Sequence, residues 1–213
     1  MAIPDSLPFE HAAIIPDAVS APWAAITAPS GIRPAQAAGV WGVGGLGVHA
    51  VQPLRMVGAA PIIAVDPIGA ARERATSFGA DILLDSADPD LRQRALDATG
   101  GRGLAVAFDF VGVPAVSAQI AGCVSAHGKI VIIGVSHQPL SLDIYGVVVR
   151  QLQVIGHYAS EPEHVLDLVR LAARGRLELS RSVSAVLPLD DAAAAVDRLR
   201  RKEGNPIRLV LRP

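Results

Sequence analysis

Three glycines and one acid carry the clearest chemistry in this sequence. Gly42, Gly44 and Gly47 have G-x-G-x-x-G spacing within Gly39-Val40-Trp41-Gly42-Val43-Gly44-Gly45-Leu46-Gly47-Val48-His49, and Asp66 follows 19 residues after Gly47. In such a loop the first glycine turns the chain tightly and the second admits a pyrophosphate to the backbone. The third lets a helix pack on the strand before it. The phosphates of a dinucleotide then rest on the free amides of a helix N-terminus. An acid closing the next strand accepts hydrogen bonds from the adenosine ribose hydroxyls. Glycine turns are common, so the triplet alone is a weak signal. Its weight comes from its place between the apolar run Gly39–Gly42 and a helical stretch, with Asp66 ending a second apolar run, Pro61–Val65. Asp66 also precedes Pro67, so it either holds the ribose or only starts a turn. A carboxylate there repels the additional phosphate of NADP, which favours NAD. Arg72 and Arg74 are near in sequence, and helix periodicity turns them outward as readily as inward.

Other chemistries lack their residues. There is one cysteine, Cys123, so neither a disulfide within the chain nor a cysteine-rich zinc knot can form. His49, His127, His137, His157 and His164 show no H-x-x-x-H spacing and read as packing or surface residues. Neither Tyr145 nor Tyr158 is followed by Lys four residues on, and no G-x-x-x-x-G-K-[ST] occurs. A methyltransferase also uses a glycine loop and an acid after its second strand. The long dinucleotide-type loop and Phe108–Gly112 speak against that reading.

The elements that position the loop follow from hydrophobic patterning. Strands are expected at Gly39–Gly42, Ile62–Val65, Ile82–Leu84, Ala105–Phe110, Lys129–Ile133, Leu152–Ile155 and Ile207–Leu211. Most are continuous apolar runs, as in strands buried on both faces of a parallel sheet. Helices lie between them. Asp88-Pro89 reads as an N-cap and first helical residue, Val113-Pro114 opens another helix, and Ser160 with Glu163 has capping-box spacing before a stripe that ends at Gly175. A last helix starts at Asp190. Alternating strands and helices predict an α/β fold, a doubly wound parallel sheet of Rossmann type. Residues 1–32 contain Pro4, Pro8, Pro16, Pro22 and Pro29, which permit only short helices between them.

Composition fits one core-forming chain. Of 213 residues 51% are apolar and 18% charged, with mean hydropathy +0.39, net charge −1 and pI about 6.6. This excludes a disordered chain and gives no basic face for nucleic acid or anionic membrane. The apolar stretch Ala12–Ala28 carries Asp17, Pro16 and Pro22 and has no Lys or Arg before Arg33. It reads as neither a membrane span nor a signal peptide. With redox conditions unconstrained, the cytoplasm is the default location.

Taken together, the motifs resemble the C-terminal part of the medium-chain, zinc-type alcohol dehydrogenase family. The resemblance rests on Ile3–Ala13, the loop continuing as G-L-G-x-x-A-V-Q, Ala64-Val65-Asp66, Phe78–Asp81, Phe108–Gly112, Gly128–Gly134 and Gly204–Leu211. It implies a dinucleotide-binding Rossmann domain at 33–180. A remnant of a catalytic domain would lie at 1–32, and a helix and strand returning toward that domain at 181–213. It implies that Gly44, Gly45 and Leu46 lie over the pyrophosphate, flanked by Gly42 and Gly47, and that Asp66 holds the ribose. Val111 would line the adenine side, Ile133, Gly134 and Val135 would adjoin the nicotinamide, and Arg208 would donate to the pyrophosphate or else be a surface arginine on an edge strand. Asp17 would either be the third zinc ligand or cap the helix that follows. The family's other zinc ligands and its proton relay belong to a domain preceding this segment, and most zinc ligands are absent here. Ala21 replaces a polar residue usual beside the nicotinamide, and Pro53 falls inside the helix after the glycine loop. The resemblance therefore implies an NAD(H)-binding part of an oxidoreductase that is not catalytic alone. Its substrate would be a small alcohol or aldehyde if a catalytic domain is supplied, with a homodimer formed through the apolar edge at Leu152–Ile155. The alternative is a non-catalytic NAD(H)-binding or sensing module.

Overall fold

The computed structural model describes residues 3–213. Met1 and Ala2, which belong to the expected segment 1–32, lie outside the described residues. The chain forms two compact units. One is Pro22–Tyr158, and the other joins the chain up to Ala21 with Ala159–Pro213.

In the first unit, β1 (Ala38–Trp41), β2 (Ile62–Val65), β3 (Ile82–Leu84), β4 (Leu104–Asp109), β5 (Val124–Ile132) and β6 (Gln153–Gly156) form one parallel sheet in the order β3-β2-β1-β4-β5-β6. The chain alternates between sheet and helices α3 (Val48–Met56), α4 (Gly69–Phe78), α5 (Leu91–Ala98), α6 (Pro114–Cys123) and α7 (Ile144–Val149). The expected doubly wound α/β fold is therefore present. Every residue of β1 and β2 is buried, which explains their unbroken apolar spelling. Trp41, Ile63, Val65, Leu84, Leu104 and Ile130 meet in the core. The Trp41 indole N–H, buried with them, donates to Gln119 Oε1 at 2.9 Å, while Gln119 Nε2 donates to the Ser86 carbonyl at 3.0 Å. The strand order reverses between β1 and β4, so the loops leaving these strands open a crevice at the carboxyl edge.

The second unit holds α1 (Phe9–Ile14), α8 (Pro162–Ala173), α9 (Ala192–Arg200) and a two-stranded parallel sheet, β7 (Val183–Pro188) with β8 (Arg208–Arg212). Between the units' sequences, α2 covers Ser20–Ala25. Among the described residues no helix is long and apolar enough to cross a membrane.

Several local expectations are corrected. The early prolines do not break the chain into isolated short helices: it is helical through Phe9–Ser30, with π turns at Ile15–Val19 and Ile26–Ser30 that contain Pro16 and Pro29. A wide turn absorbs the missing proline N–H. The Thr27 and Ser30 hydroxyls donate back to the carbonyls of Trp23 and Ile26 at 2.9 and 2.5 Å. Helix α5 starts at Leu91 with Asp90 at its N-cap position, not at Pro89. Asp88 instead accepts from the Asp90 N–H and from Arg94 at 2.7 Å, and the Arg94 hydrogen bond lowers its pKa. The capping box of α8 uses Glu161 and His164. Ser160, expected to cap, donates to the Ser20 hydroxyl at 2.8 Å. Helix α9 starts at Ala192, after a 3-10 turn at Leu189–Asp191. Pro53, by contrast, lies inside α3 as expected, and the helix runs on to Met56.

Candidate functional site

The glycine loop leaves the carboxyl end of β1 beside the switch in strand order. Gly42 has φ +82°, and its N–H donates to the Val65 carbonyl at 2.8 Å. A Cβ at Gly42 would lie 2.7 Å from Val111 Cγ2, and one at Gly47 would collide with the Gly42 carbonyl oxygen. Both glycines are therefore demanded by the fold. Gly44 differs, because a Cβ there meets nothing within 4 Å among the described residues. The first helical donors of α3 are Val48, His49 and Ala50, which bond to the carbonyls of Gly44, Leu46 and Gly47. The amides of Gly45, Leu46 and Gly47 lie ahead of that ladder, where an α-helix leaves its donors free.

Asp66 closes β2 and is only 7% exposed. Its Oδ2 accepts the Val43 N–H at 3.0 Å and its Oδ1 the Ile68 N–H at 2.9 Å. The carboxylate thus clamps the glycine loop to the turn after β2. Each oxygen keeps a second lone pair, enough to accept a ribose hydroxyl. Arg72, left open by periodicity, turns inward: it donates to the Asp66 carbonyl at 2.5 Å and pairs with Asp85 at 3.1 Å. Burial lowers the Arg74 pKa, partly offset by the charge of Asp66.

A second acid was not singled out by its sequence. Asp109, fully buried at the end of β4, accepts the Val111 and Gly112 N–H groups on Oδ1 at 2.9 and 2.8 Å and the Ser117 hydroxyl on Oδ2 at 2.8 Å. Its carbonyl accepts the N–H groups of Ile133 and Gly134 at 2.8 and 2.9 Å. One residue therefore ties the loop after β4 to the end of β5. The two chains cross so closely that a Cβ at Gly134 would lie 2.7 Å from the Val111 nitrogen, and Gly112 has φ +72°. The available signal was an acid inside an apolar strand, since a buried carboxylate requires partners.

Beside this crossing lies a cavity of about 390 Å³, lined by Val113, Ile133, Gly134, Val135, Gly156 and Tyr158 among others. Of the expected residues, Gly42, Gly44, Gly45, Leu46, Gly47, Asp66, Val111, Ile133, Gly134 and Val135 all stand on the carboxyl edge of the one sheet. Arg208 and Asp17 belong to the other unit, where they face each other at 3.5 Å. Among the described residues no three His, Cys, Asp or Glu side chains converge on a metal position, and the cation beside Asp17 makes a poor neighbour for zinc. Burial pushes the Cys123 thiol up to about 11, so it is protonated and inert at neutral pH.

A sheet of this order with a glycine loop at its switch point defines a dinucleotide-type α/β domain. The chain belongs to the zinc-binding dehydrogenase family, whose pattern matches residues 45–174. It is 29% identical to a probable zinc-binding alcohol dehydrogenase of Mycobacterium tuberculosis, over 99% of this chain and 54% of that protein. It is 30% identical to the NDMA-dependent alcohol dehydrogenase of Amycolatopsis methanolica, over 98% of this chain and 58% of that protein. Among solved structures, the alcohol dehydrogenase TADH from Thermus sp. ATN1 superposes with a TM-score of 0.90 at 28% identity, over 99% of this chain and 62% of that one. The chain thus spans between about half and three fifths of the length of the curated relatives it matches.

Proposed function

We propose that this chain is the NAD(H)-binding part of a zinc-type alcohol dehydrogenase, and that its 213 residues bind the dinucleotide without oxidising alcohols by themselves. The observation that carries the reading is the asymmetry of the three glycines. Gly42 and Gly47 have no room for a side chain, whereas Gly44 has ample room. The open space at Gly44 suits a ligand close to the backbone, and the second glycine of such a loop is where a pyrophosphate approaches it.

In this reading the amides of Gly45, Leu46 and Gly47 hold the pyrophosphate and Asp66 orients the adenosine ribose. Val111 borders the adenine side, and Ile133, Gly134 and Val135 wall the nicotinamide end and exclude water from one face. The nicotinamide supplies the hydride acceptor when bound. In this reading the dinucleotide domain, expected at 33–180, has its sheet within the unit Pro22–Tyr158, while α8 falls in the other unit with 181–213, and segments 1–32 and 181–213 belong with a catalytic part. Among the described residues the donor set does not fit a catalytic zinc. A small alcohol or aldehyde is the substrate class where a catalytic part completes the site. A second copy pairs along β6 and α7, where Ile144, Tyr145, Val148 and Val149 are exposed together. The cytoplasm is the location.

The test is calorimetric titration of NADH into the parent chain, Gly44→Ala and Gly44→Val. Both variants should melt within about 2 °C of the parent, since the position is open. Both should lose at least roughly tenfold in NADH affinity, more for Val, a loss of about 1.4 kcal/mol or greater. Undiminished binding by Gly44→Val refutes the assignment.

A further inference from the structure

Where α3 begins, the glycine loop leaves one carbonyl outside the backbone ladder. The Val48 N–H goes to the Gly44 carbonyl at 3.3 Å and the His49 N–H to the Leu46 carbonyl at 2.9 Å, so the Gly45 carbonyl between them receives neither. Its partner is the ring of His49, whose Nδ1 lies 3.0 Å away. A carbonyl oxygen only accepts, so the proton of this hydrogen bond belongs to Nδ1, which assigns the tautomer. The ring reaches back four residues because helical side chains lean toward the N-terminus.

The surroundings hold the ring in that pose. His49 is buried and stands edge-on to Phe78, the last residue of α4, with centroids 6.0 Å apart and planes at 87°. Phe78 is itself buried. For packing against Phe78 alone a leucine would serve, without the cost of burying a polar ring. What imidazole adds is a fixed donor aimed at the loop. Its consequence follows from the peptide plane. The Gly45 carbonyl and the Leu46 N–H belong to one trans peptide and point in opposite directions. Holding the carbonyl toward His49 therefore turns the Leu46 N–H the other way, out of the N-terminal end of α3.

We infer that His49 is a positioning residue: its Nδ1–H fixes the Gly45–Leu46 peptide so that the Leu46 N–H stands as a preset donor to a diphosphate at the glycine loop. The dinucleotide reading supplies the diphosphate, and the inference rests on it to that extent. Adjacent glycines such as Gly44 and Gly45 leave a backbone many conformations. A flipped Gly45–Leu46 peptide would aim a carbonyl where a phosphate oxygen must sit. His49 removes that freedom before any ligand arrives, which lowers the ordering cost of binding. The buried ring acts through Leu46 and not on the ligand itself.

The test compares the whole 213-residue parent with His49→Asn, His49→Gln and His49→Leu. Asparagine carries an amide nitrogen at the place of Nδ1, glutamine carries one at the place of Nε2, and leucine fills space without a donor. Calorimetry with ADP-ribose, and with adenosine, which has no phosphate, is run where each chain is folded. His49→Asn should bind ADP-ribose within about twofold of the parent. His49→Gln and His49→Leu should lose on the order of three- to tenfold, the worth of one neutral hydrogen bond. Adenosine should bind all of the chains alike, which a packing defect spreading through the site would not allow. Nitrogen NMR of the parent should place the His49 proton on Nδ1, and inorganic pyrophosphate should shift the Leu46 amide signal. A neutral ring with its proton on Nε2, His49→Asn no better than His49→Leu, or equal losses for ADP-ribose and adenosine overturns the inference. The tautomer measurement on the parent decides it even where a variant fails to fold. A parent that binds pyrophosphate with this dependence on His49 but does not bind NADH removes the dinucleotide reading alone. NADH binding equal in every chain removes only the role of His49.

Discussion

Replacing Asp109 should damage the domain far more than replacing Gly44, because Asp109 holds three donors whereas a side chain at Gly44 meets nothing. Asp109→Ala removes the acceptor for three donors, the N–H groups of Val111 and Gly112 and the hydroxyl of Ser117. Asp109 and Ser117 are buried, so water does not readily replace the lost oxygens. A buried donor left unsatisfied costs about 1–3 kcal/mol. The Ser117 hydroxyl can rotate toward another acceptor, and the Gly112 turn can relax toward solvent. One donor stranded in full and two relieved only in part give roughly 2–5 kcal/mol, a large share of the 5–15 kcal/mol that holds a typical domain. Asp109→Asn keeps one carbonyl oxygen for the two backbone donors, and its amide can donate to Ser117, whose hydroxyl also accepts. It should cost only about 1–2 kcal/mol, the difference between a charged and a neutral acceptor. Urea unfolding followed by tryptophan fluorescence suits the measurement, because Trp41 lies in the adjoining strand β1. The variants should rank parent, Asn, Ala in midpoint. Since Asp109 also sets the crossing of the loops after β4 and β5, NADH affinity should fall in the same order under conditions where both variants are folded. An Asp109→Ala chain within 1 kcal/mol of the parent would refute the idea that this acid holds the crossing together.

Calorimetry should show NADH binding more tightly than NADPH, and Asp66→Ser should narrow that ratio while also lowering the melting temperature, because the clamp on Val43 and Ile68 is lost. Equal affinities in the parent would count against the ribose role of Asp66. The Cys123 thiol has a folded pKa of about 11 against an ordinary 9.0, raised by burial. An unfolded thiol therefore loses its proton first, so this contribution to stability is complete below pH 9 and drains away as pH rises toward about 11. Cys123→Ala should flatten the decline between those values in urea midpoints. Light scattering at micromolar concentration should give a dimer for the parent and a monomer for Val148→Glu, since Val148 is exposed on α7 beside the sheet edge. A monomeric parent would remove the pairing proposed there.

What could be read from residue order divides by how local its cause is. β2 and β3 fall where apolar runs placed them, Ile62–Val65 and Ile82–Leu84: β2 is buried on both faces, which writes itself as continuous hydrophobicity, while β3 at the sheet edge is partly buried and keeps a short apolar run. β7 went unread. Its residues Val183-Ser184-Ala185-Val186-Leu187-Pro188 alternate only weakly, and the strand exists through pairing with β8, more than 20 residues later. The α8 cap turned on a distant residue: Ser160 and Glu161 each have a plausible partner three positions on, and the Ser20 hydroxyl, 140 residues away, takes Ser160 out of contention. Pro16 and Pro29 interrupt the helical segment before Gly31 less than α-helix rules imply, because both sit in π turns. Arg72 could not be oriented without Asp85, which the pairing of β3 with β2 brings to it.

The glycine motif shows where such reading stops. Gly42, Gly44 and Gly47 are the same letter at fixed spacing, and spacing alone assigns all three to one purpose. Their surroundings separate them. Gly42 is needed because β1 must turn under Val111, and Gly47 because the start of α3 packs against the Gly42 carbonyl. Neither reason mentions a ligand, so a protein that had lost its cofactor would still keep both. Gly44 has no such reason, since a side chain there would stand in open space. A residue that gives up stability for no packing return points to something absent from the folded chain alone. By the same logic Asp66 points both ways. Its two hydrogen bonds to Val43 and Ile68 would preserve it for the fold, and its remaining lone pairs would preserve it for a ribose. Gly44 is therefore the sharper probe, because substitution there separates binding from folding, whereas substitution of Asp66 changes both together.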